Sequence, residues 1–403
     1  MKILYLHQYF TTPSYYGGVR SYEFAKRLVQ KGNAVDLVTS TAFYPVEKKA
    51  WWHLLSKEEI DGVRLHIIHV SYSNEMSFLR RALSFLLFIL IASFYVLAIK
   101  KRDVLLASST PLTIAVPALV YCFFKRVPLV FEVRDLWPDV PVAMNIIRNK
   151  YIIRLLFLFE AKVYAYSTKV IALSSGIAEG IITKGVAPEK VVVVPNACDM
   201  AAFACKYEQP GIITRLKTEN GTKVCVYAGT FGYVNGLGYI LDIAAALEAG
   251  ARIKFLLIGE GAEKGHLQRR IKEEHLEDRV FILDSMSKKQ VIAYIQHADA
   301  CFSTVKNIPA LYNNSANKFF DALAAGKPII INHLGWQAKV IEDNKLGLVL
   351  TQDVRASAER LRCYLANERI SSKLIHEYAM NHYSRDVLFE RFYNEAIIKS
   401  ASL

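Results

Sequence analysis

Residues 223–248 read KVCVYAGTFGYVNGLGYILDIAAALE. An apolar run rich in Val and Tyr ends at Gly229. A loop containing Gly232 and Gly236 follows, and from Leu237 apolar residues recur at helical spacing. A strand that runs through a glycine loop into a helix is one half of a βαβ unit, which belongs to parallel sheets with crossover helices. The pattern repeats downstream, with strands predicted at 253–259, 280–283, 300–304, 328–332 and 346–350. Helices are predicted at 237–248, 262–275, 288–297 and 315–325.

The same alternation fills the first half. Strands are predicted at 2–7, 34–40, 63–70, 103–109, 128–135, 169–173 and 191–195, and helices at 19–31, 78–100, 112–124, 151–166 and 175–184. The strands are apolar on both faces, as a sheet covered on both sides requires. Residues 201–221, with Pro210, Gly211 and Gly221, break the alternation and read as a linker. The expected architecture is α/β, with two Rossmann-like doubly wound domains facing across a cleft. The first spans 1–200 and the second 222–383. A capped amphipathic helix over 384–403 has no strand after it and can pack back on the first domain.

A chain of 403 residues exceeds one ordinary core, and 53% hydrophobic content argues against disorder. The net charge of +13 must face nucleic acid, an anionic membrane or phosphorylated substrates. No zinc knuckle, helix-turn-helix signature or RNP motif is present, so nucleic acid is set aside. Cys122, Cys198, Cys205, Cys225, Cys301 and Cys363 form no Cys-x-x-Cys pair. They read as small buried hydrophobes in a reducing cytosol, with no metal site. The opening MKILYLHQYF reads as a first strand and not as a signal peptide.

Residues 82–99, ALSFLLFILIASFYVLAI, carry no charge; Arg80 and Arg81 precede them and Lys100, Lys101 and Arg102 follow. These 18 residues lie near the lower limit of roughly 17–25 for a spanning helix. The reading is a helix packed on the sheet that exposes part of its surface to the bilayer. A fully buried helix and a true span stay open.

Four stretches can carry chemistry. Gly17-Gly18 precede a helix whose N-terminal N–H groups suit an anion; a tight turn with nothing bound is the other reading. FEVRDLWPD, 131–139, ends a buried strand. Glu132 there calls for a buried cation, while Arg134 and Asp135 either meet a ligand or pair with each other. The loop 227–238 has the composition of a phosphate cradle and lacks the Gly-Lys-Ser/Thr ending of a P-loop. Finally, NNSANKFFDALAAGKPIIIN, 313–332, puts Lys318 and Asp321 three apart on a helix. That spacing gives a surface salt bridge, or two groups on one ligand. Ser315 can cap this helix, Lys318 can reach a diphosphate, and Asp321 can accept from a ribose diol.

Together these stretches, with HQYFTTPSYYGGVRSYEFAKRLVQKGNAVDLVTS and ALSSGIAEGIITKGVAPEKVVVVPNACD, resemble the GT-B glycosyltransferases of family 4, and more closely the WbuB-like sugar transferases of bacterial surface-polysaccharide synthesis. The resemblance covers nearly the whole chain. It implies retaining transfer of a sugar, such as N-acetyl-L-fucosamine, from a UDP-sugar to a polyprenyl-diphosphate-linked saccharide. No cofactor or metal is required, and the enzyme is cytoplasmic and peripheral at an anionic inner leaflet.

By the same resemblance the donor-binding set is Gly17, Gly18, Gly229, Thr230, Gly232, Asn235, Asn313, Ser315, Asn317, Lys318 and Asp321. Asp135, Arg134 and Lys318 are the catalytic candidates. The chain departs from the family pattern in three places. Asn313 stands for the first Glu of Glu-x7-Glu, Asn235 for the loop Lys or Arg, and Arg134 for the strand-end His; the second Glu is matched by Asp321. Three other readings remain beside this one: a sugar-nucleotide 2-epimerase of the same fold, a catalytically degenerate partner subunit, and a membrane-spanning lipid transporter.

Overall fold

The computed structural model describes residues 1–15, 17–46, 54–70, 76, 78–217, 221–367 and 371–402. The chain divides into two compact units. One is Met1–Pro195 with Phe389–Leu403, and the other is Asn196–Leu388.

The first unit runs β1 (Lys2–Leu6), α1 (Arg20–Gln30), β2 (Ala34–Ser40), β3 (Leu55–Ile60), β4 (Val63–Ile68), α2 (Phe78–Ala98), β5 (Val104–Ser108), α3 (Ala115–Lys125), β6 (Leu129–Val133), α4 (Asp139–Ala143), α5 (Lys150–Tyr166), β7 (Lys169–Ala172), α6 (Ser175–Ile182) and β8 (Val191–Val193). Its sheet has the order β3-β4-β2-β1-β5-β6-β7-β8. All neighbours are parallel except β3 and β4, which form a hairpin. Asp61-Gly62 turns that hairpin with both residues at positive φ, the turn that Asp-Gly favours. Strand order reverses at β1, between β2 and β5, so ligand chemistry is expected where β1 and β5 end.

Helices α2, α3, α5 and α6 share one core with Leu4, Leu6, Leu105, Leu129 and Phe131, so they cover one face of the sheet. Helix α1 covers the other face, where Phe24 meets Phe389 and Phe392 with ring centroids 5.8 and 4.9 Å apart. Buried Asp36 of β2 ties the first face together. It accepts from Arg102 Nε at 2.8 Å and contacts His66 Nε2 at 3.0 Å, and His66 Nδ1 meets Tyr95 Oη of α2 at 2.7 Å.

The second unit runs α7 (Met200–Ala204), α8 (Gly211–Leu216), β9 (Lys223–Ala228), α9 (Gly238–Ala246), β10 (Ile253–Ile258), α10 (Lys264–Glu273), β11 (Val280–Leu283), α11 (Lys288–His297), β12 (Ala300–Ser303), α12 (Asn317–Ala324), β13 (Ile329–Ile331), α13 (Trp336–Asn344), β14 (Gly347–Val349), α14 (Val354–Asn367) and α15 (Ser372–Tyr383). The sheet order β11-β10-β9-β12-β13-β14 is parallel throughout and reverses at β9.

Three local expectations change. Residues 201–221 contain α8 and most of α7, with Phe203, Ile213 and Leu216 buried, so this stretch is part of the second unit's packing. The final helix is three pieces: α16 (Arg385–Arg391), a π-helical stretch Phe392–Ile398, and α17 (Lys399–Ala401). Cys205 and Cys363 are exposed, while the other four cysteines are buried. Among the described residues no helix is long and apolar enough to cross a membrane.

Candidate functional site

In the second unit, β9 ends at Ala228 and the chain turns through Gly229, whose φ is +151°. A Cβ at this position would stand 2.7 Å from Lys318 Cε. Glycine is therefore needed twice here, for the backbone angle and for the lysine lying across the loop. Lys318 Nζ donates to Asn235 Oδ1 at 3.5 Å and stands 5.0 Å from the Tyr227 ring centroid. Asn235 is held by its Nδ2 on Thr230 O at 2.9 Å and by Thr304 Oγ1 on its own carbonyl at 2.7 Å.

Lys318 sits in the first turn of α12, whose N-cap, Ala316, offers no side-chain cap. The positive end of the helix and an ammonium thus share one place. Burial pushes the Lys318 pKa down to about 8, with Asp321 opposing. A small hollow lies beside it, lined by Val226, Ala228, Ile295, Cys301, Phe302, Lys318 and Asp321.

Lys318 and Asp321 do not pair. Lys318 points to Asn235, and Asp321 points to Lys288 Nζ at 3.5 Å. Lys288 also reaches Asp199 at 3.7 Å, and Arg385 holds Asp199 at 3.3 Å. Ser315 does not cap α12. Its Oγ accepts from Asn196 N–H at 3.1 Å, and its carbonyl accepts from Asn196 Nδ2 at 2.6 Å. The hydroxyl is spent on the chain's entry into this unit, leaving the helix end open.

Asn317 is exposed at the start of α12, and Asn313 is half-buried before it. The Gly229 N–H is committed to Ile258 O at 2.9 Å and cannot serve a phosphate. Among the described residues the Gly232 N–H has no protein acceptor, and neither do those of Tyr233 and Val234 in the same loop.

In the first unit, four strand ends converge. Glu132 of β6 is fully buried. It accepts from Arg20 Nε at 2.9 Å and from Ser108 Oγ at 2.7 Å, with Arg134 Nε at 3.6 Å. Burial alone would raise its pKa, but the two guanidiniums and these hydrogen bonds hold it below the ordinary carboxylate value. Arg20 also donates to Pro195 O and Val194 O, so this cation locks β6 to the end of β8.

Arg134 Nη1 lies 3.0 Å from His7 Nε2. A guanidinium only donates, so Nε2 accepts and the ring proton sits on Nδ1, which meets Ser21 Oγ at 2.8 Å. Burial, aided by Arg134, pushes the His7 pKa well down, and the ring is neutral. Asp135 is exposed and accepts from Thr110 Oγ1 at 3.3 Å. Surrounding protein atoms raise its pKa, and its contact with water limits that shift. Arg134 and Asp135 are therefore not a mutual ion pair.

Gly17 and Gly18 are exposed ahead of α1, which has no side-chain cap; Gly17 has φ +130°. His7, Lys288 and Asn196 are among the site residues that sequence reasoning missed. Their partners lie 14 and 127 residues away for His7 and 119 for Asn196, so no local signal marks them.

Two family models match the chain. Residues 17–202 match "Glycosyltransferase Family 4" and residues 209–382 match "Glycosyl transferases group 1". The chain is 24% identical over 164 residues to the 2-deoxystreptamine N-acetyl-D-glucosaminyltransferase of Niallia circulans, covering 40% of this chain and 41% of that one. It is 22% identical over 271 residues to WcaI of Escherichia coli K12, assigned to colanic acid biosynthesis as a glycosyl transferase; this match covers 64% of this chain and 66% of WcaI. The chain thus spans less than two thirds of each of these relatives. The Anabaena protein Alr3699/HepE, solved with UDP and glucose, has the same fold. Its TM-score is 0.70 at 17% identity, covering 100% of both chains.

Proposed function

The chain belongs to glycosyltransferase family 4, with the GT-B fold of two parallel-sheet units, and on that premise we propose that it transfers a sugar from a UDP-sugar to a saccharide carried on a polyprenyl diphosphate. One observation carries the reading. An uncapped helix end and a desolvated ammonium, Lys318, meet in a glycine loop, an arrangement that is unfavourable until an anion arrives. The UDP and glucose held by Alr3699/HepE and the sugar transfer named for the Niallia circulans relative support a nucleotide-sugar donor.

The chemistry follows. The acceptor hydroxyl oxygen bonds to the anomeric carbon as the bond from that carbon to the diphosphate oxygen breaks. The bonding pair leaves on the diphosphate, and the hydroxyl proton goes to the leaving oxygen on the same face, with retention. Lys318, the Gly232 N–H and the α12 dipole stabilise the departing charge. Asp321 releases Lys288 and takes the ribose diol. Asn313 hydrogen-bonds the donor sugar, for which an N-acetylated amino sugar such as N-acetyl-L-fucosamine is our choice. Arg134 and Asp135 orient the reacting groups. No step calls on a metal, so transfer should persist in EDTA.

The acceptor's lipid places the reaction at an anionic inner leaflet, where α2 supplies the contact. Leu83, Leu86, Leu90 and Phe94 are exposed, opposite the buried Phe88, Ala92 and Val96.

Calorimetric titration with UDP is the first test, followed by a panel of UDP-N-acetylhexosamines with a polyprenyl-diphosphate saccharide and mass spectrometry of the product. Saturable UDP binding that is lost in Lys318→Ala is expected. UDP binding unaffected by that change would remove the site, and turnover of a UDP-sugar without acceptor would mean epimerisation.

A further inference from the structure

A surface helix on a soluble unit turns its polar side away from the core. Helix α5 does the reverse. Its core side is Glu160, Val163 and Tyr164, and its outward side is Tyr151, Leu155, Leu158 and Tyr166. Tyr151 is 85% exposed and Leu155 66% exposed. Helix α2 is apolar on its buried and its exposed sides alike, and α3 ends in Phe123 and Phe124, 69% and 66% exposed. All three helices bury their other sides in one shared core on one face of the sheet, so their outward sides look the same way.

Charge identifies what covers this layer. Glu160 is the one acid in the three helices, and it is buried against Lys184 Nζ at 2.8 Å. The exposed charges on these helices and beside their ends are mostly basic, namely Lys100, Lys101, Arg126, Lys150, Arg154 and Lys162, with Asp103 the exposed acid that follows Lys101 along the chain. An exposed acid returns at the next helix, with Glu179 on α6. A protein partner or a second copy of the chain would meet a mixed-charge rim. An apolar layer fringed mostly by cations fits anionic lipid.

We propose that α5 and the end of α3 join α2 in one three-helix docking surface for an anionic bilayer, so that the unit rests on lipid across a layer and not along one helix. This rests on the membrane reading above and extends it to residues outside 82–99.

The test is co-sedimentation of the full chain with phosphatidylglycerol-containing and pure phosphatidylcholine vesicles. The double substitutions are Leu155→Asp with Leu158→Asp on α5, Phe123→Asp with Phe124→Asp on α3, and Leu86→Asp with Leu90→Asp on α2. All six side chains are exposed, so folding should hold, and an unchanged circular dichroism melt checks it. Each pair should lower partitioning into the anionic vesicles about tenfold or more, since each removes two lipid-buried side chains. Wild-type partitioning should also fall at high salt.

An α5 pair that partitions like wild type, while the α2 pair does not, would overturn this proposal and leave the single-helix reading standing. Wild type that binds neither vesicle would remove both. Loss of a wild-type dimer in the α5 pair, without loss of vesicle binding, would assign the face to self-association instead.

Discussion

An ammonium with a pKa of about 8 is half-charged near that pH in the free protein, and a bound diphosphate restores its full charge. Binding therefore takes up a proton. UDP affinity should be greatest below pH 8 and fall by about tenfold per unit above it, until the pKa of the bound state is reached. Titrations from pH 7 to 9.5 check this, and Lys318→Arg should flatten the dependence because guanidinium does not titrate there. Lys318→Ala should lower kcat by about a hundredfold or more. Gly229→Ala puts a methyl 2.7 Å from Lys318 Cε at a φ that L-residues avoid, and should weaken both UDP binding and turnover with little change in acceptor KM.

His7 is buried and neutral, with Nε2 already accepting from Arg134. His7→Gln, which keeps an acceptor there, should retain far more activity than His7→Leu, and no His7 step should appear in a pH–rate profile. At this scale the sequence yielded residue types better than partners. Glu132 did announce a buried cation, and Arg20 supplies it. Ser315 has every local mark of a helix cap, yet its hydroxyl goes to Asn196, 119 residues away.

Among the elements, α2 depends on more than its apolar side. Its Tyr95 reaches His66, which leans on Asp36, itself bound by Arg102 and Arg64. Burial works against the Asp36 charge, but the His66 and Arg102 contacts outweigh it and depress its pKa. The stability it contributes is present above the unfolded value near 4 and is lost as pH falls through the lower folded value. Asp36→Asn leaves the cations without their carboxylate and should cost about 3–5 kcal/mol, read by urea unfolding at pH 7.

Periodicity made most strands legible because the parallel ones are apolar on both faces. Strand β3 escaped because its Lys57, Glu58 and Glu59 are exposed at the sheet edge, and only the Asp-Gly turn marks it. Helices α14 and α15 lie where no strand alternation remained to frame them, and the π-helical register at Phe392–Ile398 has no signal in an amphipathic stripe. Helix α5 was legible as a helix but not as a surface. Its periodicity names the core side, and only the packed structure tells which apolar residues stay outside.

For the whole molecule, the restarted alternation after residue 221 announced two sheets. What composition could not give is which unit owns which residues. The stretch before residue 221 joins the second unit, and the last residues return to the first. Deleting 389–403 should leave UDP binding by the second unit intact while unfolding the first. It removes Phe389, Phe392, Ala396 and Ile397, all buried, a loss of more than about 5 kcal/mol by area and comparable with the whole stability of a domain. Circular dichroism melts and a UDP titration of the truncated chain check the two halves of that outcome.

The aromatic seam of Phe24 with Phe389 and Phe392 also sets a timetable for biosynthesis. As the polypeptide leaves the ribosome, the earlier half emerges with α1's greasy side uncovered. It must wait for the entire later half to be translated before its own closing segment exists. During that interval a chaperone has an obvious foothold, and a premature stop near the 3′ end of the message would strand the earlier half while sparing the later one.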